Sequence, residues 1–107
     1  MKINLIEAIE KTKIENGVFP NLYRADDKIR NNFITLYRKH NWQIIFDWTI
    51  WDEGKIISRN KNFNYSTINF ETKCKLLTAI VRNDRFYDGA IIEALNSGLI
   101  LKILKTI

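Results

Sequence analysis

The sequence predicts a mainly α-helical protein, a compact single-domain bundle of about five or six helices over residues 1–107. Three observations carry this. A chain of 107 residues suits one domain. Apolar residues recur at helical spacing through most of it. Glycine, Ser-Gly and proline then punctuate the periodic stretches where helices would stop. One stretch, 42–58, alternates instead, so an α+β fold with a hairpin there is the alternative.

The elements follow in order. Ile3, Leu5, Ile6, Ile9 and Ile14 form one helical stripe, and Gly17 stands where that helix would end. Val18-Phe19-Pro20-Asn21 reads as a connection, because Pro20 disfavours helical geometry in the residue before it. A second helix is expected over about 24–40. Asp26 and Asp27 suit its positive end and Arg38, Lys39 and His40 its negative end. Its inward stripe would be Ile29, Phe33, Leu36 and Tyr37, with His40 at the margin. Trp42, Ile44, Phe46, Trp48 and Ile50 alternate as in a strand, and Asp52-Glu53-Gly54 could turn a hairpin into Lys55-Ile56-Ile57. Alternatively Asp47 caps a short helix that places Trp48 and Trp51 one turn apart. Period alone favours the strand.

Residues 58–69 read as a loop or short extended segment. A clear helix follows over roughly 67–83, with Phe70, Cys74, Leu77 and Val81 along one stripe, widened by Leu76 and Ile80. Asp84 can cap a further helix running through residue 96, with Ile91, Ile92 and Leu95 inward. Ser97-Gly98 breaks it, and 99–107 reads as a last amphipathic helix with Lys102 and Lys105 on the wet face.

Composition excludes several classes. No apolar run approaches the roughly 18 residues that cross a bilayer, and no signal-peptide pattern opens the chain, so the expectation is a cytoplasmic protein without a membrane span. One Cys and one His exclude a disulfide framework and a four-ligand Cys/His zinc site, and no cofactor is expected. Ile, Asn and Lys supply 18, 12 and 11 residues. All three are written by A- and T-rich codons, so the abundance of Asn is not read as a binding signature.

Cys74-Lys75-Leu76-Leu77-Thr78-Ala79-Ile80-Val81-Arg82, Asp84-Arg85-Phe86, Asp88-Gly89 and Ser97-Gly98-Leu99-Ile100-Leu101 with Ile103-Leu104 resemble a bacterial family of uncharacterised proteins, a domain of unknown function. Phe46-Asp47-Trp48, Trp51 and Glu53 resemble its upstream element, which typically continues as a charged helix. The likeness covers about 46–57 and 74–104, and the Arg, Phe and two Gly fall at matching spacings. At 88 the family commonly carries Glu where this chain has Asp, which keeps a carboxylate beside Gly89. The resemblance implies a mostly helical fold, and for 47–58 a helix in place of the hairpin; it implies no activity, substrate or partner.

Chemistry finds few footholds. A Cys74–His40 dyad would need a partly exposed, activated thiol, whereas Cys74 shares an apolar stripe. Gly17, Gly54, Gly89 and Gly98 never approach each other as a phosphate-cradling loop requires. Asp26-Asp27 and Asp52-Glu53 are adjacent pairs whose side chains diverge. Catalytic and metal-ligating residues are therefore not assigned. Arg82, Asp84, Arg85 and Asp88 form the densest constellation: either a salt-bridged helix junction, or an anion or ligand site in which Arg82 and Arg85 meet an acid and Asp88 fixes them. Trp48 and Trp51 beside Asp47 either fill the core or line a ligand pocket. The segment 90–107 has the amphipathicity of a core helix, or of one lying on an anionic membrane.

The formal net charge of +5 is unevenly spread. Residues 1–53 balance to zero, whereas 55–82 hold Lys55, Arg59, Lys61, Lys73, Lys75 and Arg82 against Glu71 alone. Arg59 and Lys61 precede Phe63 and Tyr65, an interleaving that suits single-stranded nucleic acid, although a solvated face with a loop anchored by its aromatics looks the same. The candidate partner surface is Lys55, Arg59, Lys61, Phe63, Tyr65, Lys73 and Lys75. The functional expectation is a small non-enzymatic binding module that engages a protein or a nucleic-acid-containing complex. The alternatives are a mobile-element inhibitor of a nucleic-acid-processing machine, and a ligand-binding protein or enzyme built on Arg82, Arg85, Asp88, Trp48 and Trp51.

Overall fold

Apolar stripes at helical spacing need partners, and in the computed structural model they find them in one another. The structure describes residues 2–16, 28–60, 62–86 and 89–107. Among them lie six α-helices: α1 (Lys2–Asn16), α2 (Lys28–Lys39), α3 (Asp52–Arg59), α4 (Phe70–Asn83), α5 (Ala90–Asn96) and α6 (Leu99–Thr106), with short 3-10 turns at Trp48–Ile50 and Tyr65–Thr67. No strand occurs among the described residues. The Gly17 stop, the Pro20 connection, the expected beginning of the second helix with Asp26 and Asp27, and the candidate residues Lys61 and Asp88 lie outside them.

The core is built chiefly by α4, α5 and α6. Cys74, Leu76 and Leu77 meet Ile91, Ile92 and Leu95, then Ile100, Ile103 and Leu104. Each buried aliphatic side chain contributes roughly 1.5–3 kcal/mol relative to exposure. Helix α1 closes the bundle on α2 and α6 through Leu5 and Ile9. Helix α2 adds Phe33, Leu36 and Tyr37. Leu99, Ile100, Ile103 and Leu104 of the last helix are thus covered by protein. Among the described residues no helix is long and apolar enough to cross a membrane.

The hairpin alternative fails in an informative way. Helix α2 ends in a paired closure: Trp42 N–H donates to the Tyr37 carbonyl (3.2 Å) and Asn41 N–H to that of Arg38 (3.1 Å), with Asn41 at φ 53°. Asn tolerates this left-handed geometry better than most residues. The chain then leaves the helix without pairing as a strand, and its alternation in burial is real: Trp42 is buried, Ile44 and Phe46 are half-buried, Gln43 and Ile45 are exposed. Its support is helix α4 instead of a second strand. Thr78 Oγ1, buried on α4, accepts the Ile44 N–H (3.1 Å) and lies 3.0 Å from the Tyr37 hydroxyl. His40 stays exposed and stacks on Trp42 at 5.0 Å.

Asp47 ends this run by accepting the Thr49 N–H (3.1 Å), so it caps the 3-10 turn 48–50 and not a longer helix. Trp51 is the joint, and α3 begins at Asp52 with Asp52 and Glu53 in the first turn, where the helix dipole favours acids. Gly54 lies inside α3 and not in a turn. A Cβ there would come within 2.3 Å of the Trp51 indole, so the indole packs directly against the helix backbone at this position. Asn64 and Asn69 cap the next elements, accepting from Ser66 N (3.1 Å) and Thr72 N (2.8 Å). The Asn69 cap starts α4 at Phe70, later than expected, and leaves Phe70 largely exposed at the rim.

Candidate functional site: a cleft between α3, α4 and α5

Three helical stripes converge on one cleft of about 590 Å³. Helix α4 supplies Leu76, Ala79, Ile80 and Asn83, and α5 supplies Ala90, Glu93, Ala94 and Ser97. Each set follows the i, i+3, i+4, i+7 spacing of one helix face. The third wall runs from Trp48 and Trp51 through Gly54, Lys55, Ser58 and Arg59. The small residues among them leave the space that a Leu or Phe would have filled. Ile57, buried against the core, holds α3 so that Lys55 and Arg59 border this space.

The two tryptophans are braced differently. Trp51 rests on the bare backbone of Gly54, meets the Phe46 ring edge-on at 5.3 Å, and has the Lys75 ammonium 5.9 Å from its ring. Lys75 also lies 5.4 Å from the Phe46 ring, so its charge sits among π faces. Trp48 packs on Phe86 with ring centroids 5.9 Å apart. Phe86 is 79% exposed and extends the aromatic surface beyond Trp48.

The basic candidates divide. Lys55 and Arg59 are exposed at the cleft, with no ion pair among the described residues. Lys73 is 7% exposed and donates to the Thr106 carbonyl (2.8 Å), joining α4 to the end of α6, where the helix dipole welcomes a cation. Tyr65 is buried, which raises its phenol pKa, and Phe63 packs edge-on against it at 5.1 Å. With Tyr65 buried and Phe63 half-buried against it, these two rings anchor the loop.

The arginine constellation is also rearranged. Asp84 pairs with Arg30 of α2 (2.6 Å) through one oxygen and accepts the buried Ile91 N–H (3.1 Å) through the other. It therefore caps α5 from a distance, because Gly89 at the helix start (φ 108°) has no side chain to do so. Arg82 is half-buried and Arg85 exposed, and neither lines the cleft. Their charges reach the Tyr37 hydroxyl. Burial raises its pKa, and the Thr78 hydrogen bond with the two arginines offsets part of that rise. Trp48 and Trp51 are thus grouped with Lys55 and Arg59, not with Arg82 and Arg85.

Burial also pushes the Cys74 thiol up, away from the thiolate a nucleophile needs. Among the described residues no cluster of three or more His, Cys, Asp or Glu could hold a metal. Sequence reasoning missed the stripes Ala79/Ile80/Asn83 and Ala90/Glu93/Ala94/Ser97. Their spacing was visible, but small residues on a helix face look the same in a close-packed interface as beside a cavity.

Fold and site together define a small, mainly helical domain with an aromatic and basic cleft. The family of unknown function DUF6508 matches residues 3–107, and the chain belongs to it. The match extends over the N-terminal helices, for which the sequence motifs offered no likeness. Among curated proteins and among solved structures no match is found.

Proposed function

We propose that this domain is a non-enzymatic binding module that seats part of a protein partner in the α3–α4–α5 cleft. One observation carries the reading: Trp48, Trp51, Lys55 and Arg59 border the same 590 Å³ space. A cleft of this kind offers apolar area for affinity and a few polar groups for orientation, the combination found at ligand sites. Direct nucleic-acid binding has less support, since Tyr65 is buried, Phe63 leans on it and Lys73 is engaged internally. An anion site at Arg82 and Arg85 has less as well, because neither side chain borders the cleft.

Native purification with quantitative mass spectrometry tests the reading. The wild-type chain is expected to retain a stoichiometric protein partner that the Trp48→Ala, Lys55→Glu double variant loses while keeping its helical circular dichroism. Identical retention by both proteins would reject the cleft as the binding surface.

A further inference from the structure

The chemistry of the cleft narrows its occupant further; this step rests on the binding-module reading above. We infer that the occupant is an acidic-apolar protein segment, with an aromatic or aliphatic side chain between the tryptophans and carboxylates on Lys55 and Arg59. The floor is apolar, formed by Leu76, Ala79, Ile80 and Ala94, so it rewards burial of a side chain and not of a phosphate. Lys55 and Arg59 stand four residues apart on α3, about 6 Å between their Cβ atoms. That spacing matches two carboxylates one turn apart on a helix, or at alternate positions of an extended segment, about 7 Å apart. The two cations have no ion pair among the described residues, so a partner's carboxylates would not displace an internal one.

Charge also separates a peptide from a nucleic acid. Asp52 and Glu53 open α3 just before Lys55 and Arg59, so carboxylates stand beside the two cations on the same helix. A continuous polyanion crossing this surface would meet the Asp52 and Glu53 carboxylates at the start of α3. A peptide that places its acids only opposite Lys55 and Arg59 meets attraction alone, and the neighbouring carboxylates reject misregistered or more acidic sequences.

The test selects a phage-displayed library of random peptides on the immobilised full chain. Winners are measured by fluorescence anisotropy against wild type, Lys55→Glu/Arg59→Glu, and Ala79→Leu, which fills the cleft with a good helix former. Labelled oligo(dT) is measured on the same proteins. The expected winners carry Asp or Glu beside an aromatic residue or Leu. They weaken roughly tenfold or more on the charge-reversed chain and on Ala79→Leu. Peptides with Lys in place of Glu regain affinity for the charge-reversed chain. Cleft-dependent winners that are neutral or basic, or cleft-dependent oligo(dT) with no cleft-dependent peptide, would overturn the acidic-peptide inference and leave a binding cleft standing. If neither peptide nor oligonucleotide responds to any of the variants, both readings fail.

Discussion

Lys55 and Arg59 on α3 and Lys73 and Lys75 on α4 belong to one basic interval of the sequence, yet the fold treats the two pairs oppositely. On α4 the charges are turned inward: Lys73 spends its ammonium on the Thr106 carbonyl, and Lys75 lies among the Phe46 and Trp51 rings. On α3 they border an open cleft. The difference comes from position on the bundle. Helix α4 runs through the centre, so a lysine on its flank must thread its stem along apolar surface and find an acceptor. Helix α3 touches the core through Ile57 and keeps most of its surface wet. Charge counted along a chain is therefore a poor guide to charge presented to a partner.

The contrast can be broken or sharpened by substitution, beginning with the internal network. Asp84→Ala strips one acceptor from Arg30 and the acceptor of the buried Ile91 N–H. It is expected to cost about 3 kcal/mol in urea unfolding, discounted because Arg30 is one-third exposed. Lys73→Met keeps the stem but loses the Thr106 bond, and should cost about 1 kcal/mol with peptide binding unchanged. A Lys73 variant that binds weakly but folds normally would erase the distinction between the two lysine groups.

Alkaline pH probes the same interior. Cys74, Tyr37 and Tyr65 have pKa values raised by burial above their ordinary 9.0, 10.0 and 10.0, so the folded state holds protons that the unfolded chain releases. Stability should stay level up to about pH 9 and fall above it, because protons are then lost preferentially from the unfolded state. Tyr65→Phe should flatten the decline above pH 10 in thermal melts recorded across pH. The smallest effect is expected from Lys55→Gln with Arg59→Gln: unfolding free energy within about 0.5 kcal/mol of wild type. A large loss there would show that α3's cations are structural after all.

Much of the bundle was legible. Helices α4, α5 and α6 declared themselves through stripes such as Leu77/Val81 and Ile91/Leu95, because burial and periodicity coincide there. The alternation of Trp42, Ile44, Phe46, Trp48 and Ile50 pointed to a strand that does not form among the described residues; it tracks burial only as far as Trp48, because periodicity does not say whether a strand or a helix receives the inward face. Phe70 was assigned inward from its stripe, yet it falls one turn outside the core once Asn69 caps the helix. The candidate site was legible by residue and not by grouping. Trp48, Trp51, Lys55 and Arg59 were each singled out, but for two different surfaces. Their union depends on Gly54 admitting an indole, and the fate of Asp84 depends on Arg30, 54 residues away. Contacts of that span leave no local pattern.

The distant cap on α5 also bears on when the cleft comes into being. Seven residues are too few to hold a helix in isolation, and Gly89 contributes no capping side chain. The acceptor that stabilises the first turn comes from Asp84, which is itself held by Arg30 across the bundle. One wall of the cleft is thus secured by the docking of α2. A chain still emerging or partly unfolded can form α4 while leaving this wall unsecured. The cleft is completed only with the whole domain.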